Sequence, residues 1–411
     1  MSPKTPRAPL ARHGRLRSPN PIAQIATIIG AAFAVVVLGI AGTAAFAAWN
    51  ATDLVAGNAI TLESAKPLPP TIGEIEGGVN LLLVGTDSCE GQDLKLFPRC
   101  AHDDGGERND VTMLVHIGDN PRRVTVVSFP RDMIVPIPSC PSANGGRYSA
   151  MSAQMLNVSY SYGGLACTAL TIQQLTGVDI QFAAAIRWTG VINMSDAIGG
   201  VQVCVAGEIS DRNTGLHLTA GEHTLKGAQA LQFLRIRHGI GDGSDLGRIS
   251  NQQQFMSSLV RKLQSGGVLG DPTKLFALAT TALQQVSDKQ LVLDENLSNP
   301  TRMVQIAMAV KSVPFNDIVF VQYPTSYDPA DASRVLPMYE SAQTLFTALK
   351  ENKSLNLTGK ASPADGVQVT GEATPGPSAS PGATSDPDAV DLPSSITGTT
   401  AAQTTCTQPG H

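Results

Sequence analysis

An uninterrupted apolar segment near the N-terminus constrains this chain more than any other feature. No residue between Pro19 and Thr52 is ionisable, and residues 22–49 are long enough to cross about 30 Å of hydrocarbon as a helix. The residues before this segment include cations and no acid: Lys4, Arg7, Arg12, Arg15 and Arg17. Because such cations collect on the cytoplasmic side of a membrane, we predict a cytoplasmic N-terminus over residues 1–21, a single transmembrane helix over 22–49, and a body outside the cell.

A cleaved signal peptide is the alternative interpretation of the same segment, since small residues fill positions 44–48. The apolar part of a signal peptide is only about 7 to 15 residues long. A retained anchor is therefore favoured. No cysteine lies near the end of the segment, which disfavours a lipoprotein.

The charge distribution excludes a nucleic-acid binder. The chain has a net charge of -5, and the basic N-terminus makes the remainder more acidic than that figure. Phosphate backbones are bound by clustered lysines and arginines on the body of a protein. The acidic body therefore also argues against a DNA-binding regulator.

All six cysteines follow the apolar segment, in a compartment where disulfides persist. Cys89 and Cys100 bracket a polar loop, and we predict that they form one bridge. The pairing of the other four is left open by the sequence. No closely spaced Cys or His pair of the kind that binds zinc is present.

The rest of the chain divides into three parts by composition. Proline and glycine in residues 50–78 indicate a stalk, residues 79–352 a folded domain, and residues 353–411 a disordered tail. From residue 361 onward the tail contains no aromatic residue, lysine or arginine, so it has little apolar surface with which to offset its ordering entropy.

Alternating strand and helix patterns in the folded domain predict a three-layer α/β/α fold with a central mixed sheet. Runs rich in β-branched and other apolar residues predict strands at 80–84, 111–117, 123–129, 183–188, 201–205 and 318–323. Helices are predicted at 152–162, 167–175, 189–198, 224–237, 247–263, 275–286, 300–310 and 341–349.

Charged residues stand at the ends of three predicted strands. Asp87 follows the first strand, Arg108 and Asp110 precede the second, and Arg131 closes the third. Loops at sheet ends are where α/β folds build sites. A single strand-end aspartate is more often a turn former, so only the three segments together indicate a site.

A fourth segment combines arginines with a predicted helix start. Arg248 and Gln252 share one face near the N-terminus of the helix, where free N–H groups favour an anion, and Arg235 and Arg237 precede it. Converging arginines repel one another unless a multivalent anion binds between them. The alternative is a solvated basic helix end.

Arginines combined with separated aspartates suit Mg²⁺-dependent pyrophosphate chemistry. The sequence lacks the Walker A motif of P-loop NTPases and the G-x-S-x-G motif of α/β-hydrolases, which disfavours both classes.

These segments, in order, resemble the LytR-CpsA-Psr family of bacterial cell-wall ligases, and the cysteines and tail resemble its actinobacterial members. The resemblance is carried by LLLVGTDS, RNDVTMLVHI, VTVVSFPRD, NVSYSYGG, INMSDAIGGVQVCV, LTAGEHTLKGAQALQFLRIRH and GDGSDLGRISNQQQFMSSL. It implies a phosphotransferase that moves a glycopolymer from a polyprenyl-pyrophosphate carrier in the cytoplasmic membrane to a peptidoglycan hydroxyl.

The family resemblance also implies residue roles and Mg²⁺ as cofactor. Asp87 and Asp110 match metal-holding aspartates. The pyrophosphate would be gripped by Arg108, Arg131, Arg235, Arg237, Arg248 and Gln252, with Arg108 and Arg131 also catalytic. Asp245 matches a general base or an arginine-orienting acid, although helix capping alone would explain an Asp at this position. The polyprenyl chain would lie among helices within 152–175 and 189–198.

Two departures from the family pattern support a non-catalytic binder as an alternative to the phosphotransferase. The usual R-S/T-D-T motif is replaced by RNDV at 108–111, and Met155 stands where a lysine is common in the family. Separately, residues 89–107 resemble an insertion, which is either a lid or decoration. The alternatives are a non-catalytic membrane-anchored binder of polyprenyl-phosphate glycans and a Mg²⁺-dependent polyprenyl pyrophosphatase. Teichoic acid, arabinogalactan and capsular polysaccharide would all present the same pyrophosphate.

Overall fold

A computed structural model describes residues 59–63, 78–102, 106–142, 145–359, 366–373 and 388–410. All of them belong to one compact unit that begins at residue 51. The transmembrane helix predicted at 22–49 and the N-terminus at 1–21 lie outside the described residues. Among the described residues, no helix has the length and apolar character needed to span a bilayer.

The helices and strands alternate along the chain. The strands are β1 (Val79–Thr86), β2 (Asn109–Ile117), β3 (Val124–Phe129), β4 (Ile134–Ile137), β5 (Cys140–Pro141), β6 (Arg147–Tyr148), β7 (Met151–Met155), β8 (Phe182–Ile186), β9 (Val201–Val205), β10 (Ile209–Asp211), β11 (Leu216–Leu218), β12 (Gly221–Leu225), β13 (Leu291–Leu293), β14 (Ile318–Gln322), β15 (Thr325–Asp328), β16 (Asp331–Pro337), β17 (Leu355–Gly359), β18 (Val367–Glu372), β19 (Val390–Thr400) and β20 (Gln403–Thr407). The α-helices are α1 (Val158–Thr176), α2 (Trp188–Ala197), α3 (Gly227–Arg235), α4 (Asp245–Ser265), α5 (Pro272–Ser287), α6 (Pro300–Ala309) and α7 (Tyr339–Lys350).

A central sheet with strand order β13-β8-β1-β2-β3-β14-β19-β17 organises the fold. It is mixed: β1, β2 and β3 are antiparallel neighbours, whereas β8 runs parallel to β1 and β14 parallel to β3. Every residue of β3 is buried, because its β-branched side chains pack on both faces. The predicted mixed α/β fold is confirmed.

Both faces of the sheet are covered by helices. Since side chains alternate across a strand, Leu82 and Val84 pack with α1 and α7, whereas Leu81 and Leu83 pack on the other face, with α5 and α6. The sheet is thus a middle layer whose strand ends remain free to carry polar groups.

Two of the helix predictions were wrong at their N-terminal ends. Residues 151–155 form β7, which pairs with β4, and the helix begins only at Val158. The predicted break at Gly163 is a kink at Gly163 and Gly164 inside α1. The helix predicted at 224–237 likewise begins at Gly227, because the preceding residues form β12 and pair with β9.

The disordered tail predicted at 353–411 is corrected wherever the structure describes it. Strand β19 pairs with β14 and extends the central sheet, and β20 joins a smaller sheet of order β12-β9-β20-β18. Leu392 and Ile396 are buried in the core. These few apolar side chains, at strand spacing, are enough because they add to sheets that already exist.

The predicted stalk at 50–78 is also corrected at residues 59–63. Ile60 forms a bridge with Asp294 at the sheet edge, and Leu62 is buried in the core. The rest of the stalk, except residue 78, lies outside the described residues.

The predicted Cys89–Cys100 bridge is confirmed. The remaining cysteines, whose pairing the sequence left open, form Cys140–Cys167 and Cys204–Cys406. The last of these attaches the C-terminal strands to β9.

Candidate functional site

The strand order brings the predicted aspartates to one edge of the sheet. Strands β1 and β2 are antiparallel, so the end of β1 lies beside the start of β2. The N–H of Arg108 donates to Asp87 Oδ1 at 2.7 Å, and the N–H of Asp87 donates to the carbonyl of Arg108 at 3.2 Å. Asp110 follows two residues later on β2, so both carboxylates belong to this edge.

The two carboxylates interact electrostatically. Burial raises the pKa of Asp87, the Arg108 N–H opposes that shift, and the negative charge of Asp110 raises the pKa further. A divalent cation between them would relieve this repulsion. Mg²⁺ commonly takes one or two carboxylates and completes its oxygen shell with water and substrate phosphates, so this pair fits such an ion.

Arg131 lies at the centre of the site because β3 ends at the same edge. Its Nη1 donates to Asp110 Oδ1 at 2.6 Å, and its Nε faces Asp132 Oδ2 at 3.4 Å and Asp245 Oδ1 at 3.8 Å. Burial alone would lower the pKa of Arg131, but these carboxylates raise it overall. The guanidinium is therefore a permanent, oriented cation.

The N-terminus of α4 supplies a second arginine. Ser244 caps the helix by accepting from the N–H of Gly247 at 3.2 Å, so Asp245 is not needed as the cap. Asp245 instead accepts from the N–H of Arg131 at 3.2 Å and contacts Arg248 Nη2 at 2.5 Å. Arg248 also donates to the carbonyl of Asp110 at 2.9 Å, which closes the cluster.

The other predicted anion-binding residues are engaged differently. Gln252 is buried and its amide donates to the carbonyl of Leu234 at 2.9 Å, so it holds the arginine-bearing segment in place. Arg237 donates to the carbonyl of Gly243 at 3.2 Å, and Arg108 is exposed. The guanidinium of Arg235 lies 4.1 Å from the ring centroid of Trp188, a cation–π contact.

An ion pair beside the aspartates was missed by the sequence analysis. Arg187, at the end of β8, donates to both carboxylate oxygens of Glu107, at 3.0 Å and 2.8 Å, and Glu107 accepts from Thr86 Oγ1 at 2.6 Å. Arg187 falls inside the strand predicted at 183–188, but the observed strand ends at Ile186, so the strand-end rule would have identified Arg187 only with the correct strand boundary. The Arg187–Glu107 ion pair thereby holds Glu107, the residue that precedes Arg108, in place.

The disulfide-closed loop at 89–100 packs next to this edge. Phe97 lies 4.8 Å from Trp188 between ring centroids, and Gln92 accepts from the hydroxyl of Thr189 at 2.6 Å. The loop therefore rests on the start of α2, beside the tryptophan that Arg235 covers. Among the described residues, no cluster of three or more potential metal-binding side chains occurs.

The structure thus gathers arginines and aspartates at one edge of the sheet of a mixed α/β fold. The sequence model of the LytR_cpsA_psr family matches residues 52–353, and the chain belongs to that family.

Two relatives of this chain are named for cell-wall biosynthesis. The chain is 29% identical over 275 residues to "Cell wall biosynthesis protein LcpA" of Corynebacterium glutamicum, covering 62% of this chain and 51% of that protein. It is 31% identical over 227 residues to "Probable cell wall biosynthesis protein LcpB" of the same organism, covering 54% and 51%. The match thus spans about half the length of these curated relatives.

Solved structures share the fold. Protein gbs0355 from Streptococcus agalactiae has a TM-score of 0.53 at 20% identity, covering 70% of this chain and 91% of that chain. A structure titled "TagT bound to LI-WTA" has a TM-score of 0.51 at 18% identity, covering 71% and 98%. At these identities the likeness establishes the fold.

Proposed function

We propose that this protein is a Mg²⁺-dependent phosphotransferase that moves a glycopolymer from a polyprenyl-pyrophosphate carrier to a peptidoglycan hydroxyl. The observation that carries the proposal is the placement of Arg131 between Asp110 and Asp245, with Arg248 on the same carboxylate. Membership of the LytR_cpsA_psr family, with two relatives named for cell-wall biosynthesis, supports the cell wall as the setting. The segment at 22–49 would anchor the catalytic unit outside the cytoplasmic membrane.

The arginines would act on charge that develops during transfer. Arg131 is half-buried and Arg248 is buried, and both are held by carboxylates, so they need little reorganisation when a phosphoryl oxygen gains charge. Arg108 and Arg237 would contact the outer oxygens of the pyrophosphate, with Arg235 held nearby over Trp188. Asp87 and Asp110 would hold Mg²⁺, which would neutralise phosphate oxygens when bound.

The transfer would be a single displacement at the phosphorus atom that carries the glycan. The acceptor hydroxyl oxygen bonds to the phosphorus that carries the glycan, and the bond from that phosphorus to the bridging oxygen breaks. The polyprenyl phosphate departs with the electron pair, and the hydroxyl proton passes to a carboxylate at the site or to water. The glycopolymer then remains attached to the acceptor through a phosphodiester.

The test measures Mg²⁺-dependent formation of polyprenyl phosphate from a short polyprenyl pyrophosphate by the full-length chain. Arg131→Ala and Asp110→Asn are compared with Arg122→Ala, a matched control at the opposite end of the β2–β3 hairpin. We expect the first two to lose at least about 10²-fold in rate, as removal of a transition-state donor typically does, and the control to retain activity.

Retained turnover in Arg131→Ala would contradict the proposal. Binding of the lipid without product, with a glycan-bearing lipid inert as well, would favour a non-catalytic binder. Product formed with water but not with a peptidoglycan fragment would favour a pyrophosphatase.

A further inference from the structure

A cavity of about 180 Å³ adjoins the arginine cluster, which consists of Arg131 and Arg248 with Asp110 and Asp245. It lies between the strand-end segment that carries Asp132, the start of α4 and the β15–β16 hairpin. The residues that line it are Pro130, Asp132, Arg237, Ser244, Asp245, Leu246, Tyr327, Ala332, Ser333 and Val335.

The hairpin is fixed to the site, which makes this cavity a built feature. Val335 forms a bridge with Met133, two residues after Arg131, and its N–H approaches the carbonyl of Asp132 at 3.5 Å. Tyr327 pairs with Val335 across the hairpin and is 54% exposed at the cavity rim. An exposed tyrosine is therefore held over a pocket that opens onto the arginine cluster.

The size of the cavity suits one six-membered ring. A cavity of about 150 Å³ is enough for a benzene molecule, and drug-sized ligands need about 300 to 1,000 Å³. The lining residues combine an aromatic ring and apolar side chains with hydroxyls, two carboxylates and a guanidinium. A sugar ring has the matching pattern, because its C–H faces are apolar and its rim carries hydroxyls that both donate and accept hydrogen bonds.

Asp132 connects this cavity to the phosphoryl site. Its carboxylate lines the cavity, and one of its oxygens faces Arg131 Nε at 3.4 Å. A ligand hydroxyl bound to Asp132 would therefore lie next to the guanidinium that the transferred phosphoryl group needs.

We propose that this cavity is a saccharide subsite, in which Tyr327 stacks on one sugar ring and Asp132 binds a hydroxyl of that ring. The inference rests on the proposed function and extends it to the glycan next to the reacting phosphorus. Two sources could supply such a ring, namely the peptidoglycan acceptor and the first sugar of the donor glycan.

The experiment measures binding rather than turnover, so its failure is distinct from failure of the proposed function. Dissociation constants of the full-length chain in detergent are measured by titration calorimetry for three ligands: a phosphate-free peptidoglycan disaccharide, a short polyprenyl pyrophosphate, and that lipid bearing one N-acetylhexosamine. The proteins are the unaltered chain, Tyr327→Ala, Tyr327→Phe and Tyr339→Ala. Tyr339 is the matched control, since it is 56% exposed and begins α7 outside the cavity.

We expect Tyr327→Ala to weaken binding of at least one sugar-bearing ligand about fivefold relative to the sugar-free lipid, in line with the typical size of an aromatic contact. Tyr327→Phe and Tyr339→Ala should stay within about twofold of the unaltered chain for a contact made by the ring alone. A selective effect on the disaccharide assigns the subsite to the acceptor, and one on the sugar-bearing lipid assigns it to the donor.

The inference would be overturned if Tyr327→Ala and Tyr339→Ala bound every ligand with equal affinity. It would also be overturned if Tyr327→Ala lost as much affinity for the sugar-free lipid as for the sugar-bearing ligands. A second variant tests the cavity at a different lining residue. Ala332→Phe would add a bulky ring to the cavity lining and reduce the space for a sugar. It should weaken the same sugar-bearing ligand that Tyr327→Ala weakens, and unchanged affinity would also count against the subsite.

Discussion

Asp245 contacts both central arginines, and this geometry bears on its role. One oxygen accepts from the Arg131 N–H and the other lies 2.5 Å from Arg248 Nη2, while only 8% of the residue is exposed. A general base must reach the proton that it removes, whereas a carboxylate held by two guanidiniums is better placed to orient them. We therefore propose that Asp245 positions the two arginines and does not act as the general base.

Asp245→Asn should reduce kcat about 10- to 100-fold, because one side of the arginine cluster loses its counter-charge, and should leave the shape of the pH–rate profile unchanged. The measurement is the rate of polyprenyl phosphate formation between pH 5 and pH 9. Loss of the acidic limb in the variant would instead identify Asp245 as the base.

Asp294, outside the site, is expected to make stability depend on pH. It is 1% exposed, its two oxygens accept from the N–H groups of Ala183 and Asn296, and burial raises its pKa from 3.8 to about 6. Below pH 3.8 the carboxyl is neutral in both states. Between 3.8 and about 6 only the unfolded chain loses the proton, so the contribution of Asp294 to the free energy of unfolding falls as pH rises.

The size of this effect is on the order of 3 kcal/mol between pH 4 and pH 7. Urea unfolding of the unaltered chain and of Asp294→Asn at both pH values measures it. The free energy of unfolding of the variant, relative to the unaltered chain, should be higher at pH 7 than at pH 4. The lowered pKa of buried His116 gives a slope of opposite sign, but it is common to both proteins and cancels. A pH-independent difference would contradict the prediction.

At the scale of elements, the Cys204–Cys406 bridge attaches the C-terminal strands to a distant part of the fold. It joins residues 202 apart in sequence, whereas Cys89–Cys100 joins residues 11 apart. A cross-link that closes a longer loop restricts the unfolded chain more. Replacing both members of the 204–406 pair with serine should therefore lower the free energy of unfolding about 2 kcal/mol more than the same change at 89 and 100.

Urea unfolding of the two double variants measures that difference. Equal losses of unfolding free energy in the two double variants would contradict the prediction. They would indicate that the C-terminal strands keep their contacts in the unfolded chain or contribute little to the stability of the native state. Phosphate release by both variants, measured alongside, reports whether the loop at 89–100 matters to the site separately from stability.

Some helices and strands could be predicted from their own sequence, and others could not. Strands β1, β2 and β3 were predictable because each contains a run of mainly β-branched or aliphatic side chains that are buried or half-buried. Residues 152–155 were mistaken for helix because Ala, Gln and Met favour helices, whereas pairing with β4 makes them a strand. The tail strands pair with sheets formed by remote residues, which local composition does not report.

The site was predictable in composition and less so in geometry. The strand-end pattern found Asp87, Asp110 and Arg131, and the fold brings them to one edge. The sequence did not reveal that Gln252 supports a backbone carbonyl. It also gave no partner for Glu107, because Arg187 lies 80 residues away and reaches it only through the β1–β8 pairing.

On the scale of the whole molecule, segments far apart in sequence converge on one charged edge. The ends of β1 and β3, the start of β2 and the start of α4 each contribute to it. A ligand that binds only when these segments are assembled stabilises the native state by mass action, by about 2.7 kcal/mol at a hundred times its dissociation constant. Inorganic pyrophosphate with Mg²⁺ is the simplest such ligand, and we expect it to raise the Tm of the full-length chain by roughly 5 °C.

Arg131→Ala should lose most of that increment, because the anion would then face Asp110, Asp132 and Asp245 without the cation that separates them. The readout is the difference in Tm with and without ligand, measured calorimetrically for each protein, so a lower starting stability of the variant does not enter. Arg122→Ala should show the full increment. Equal increments in all three proteins would mean that pyrophosphate binds elsewhere, and that the convergence of segments at this edge serves the fold rather than the ligand.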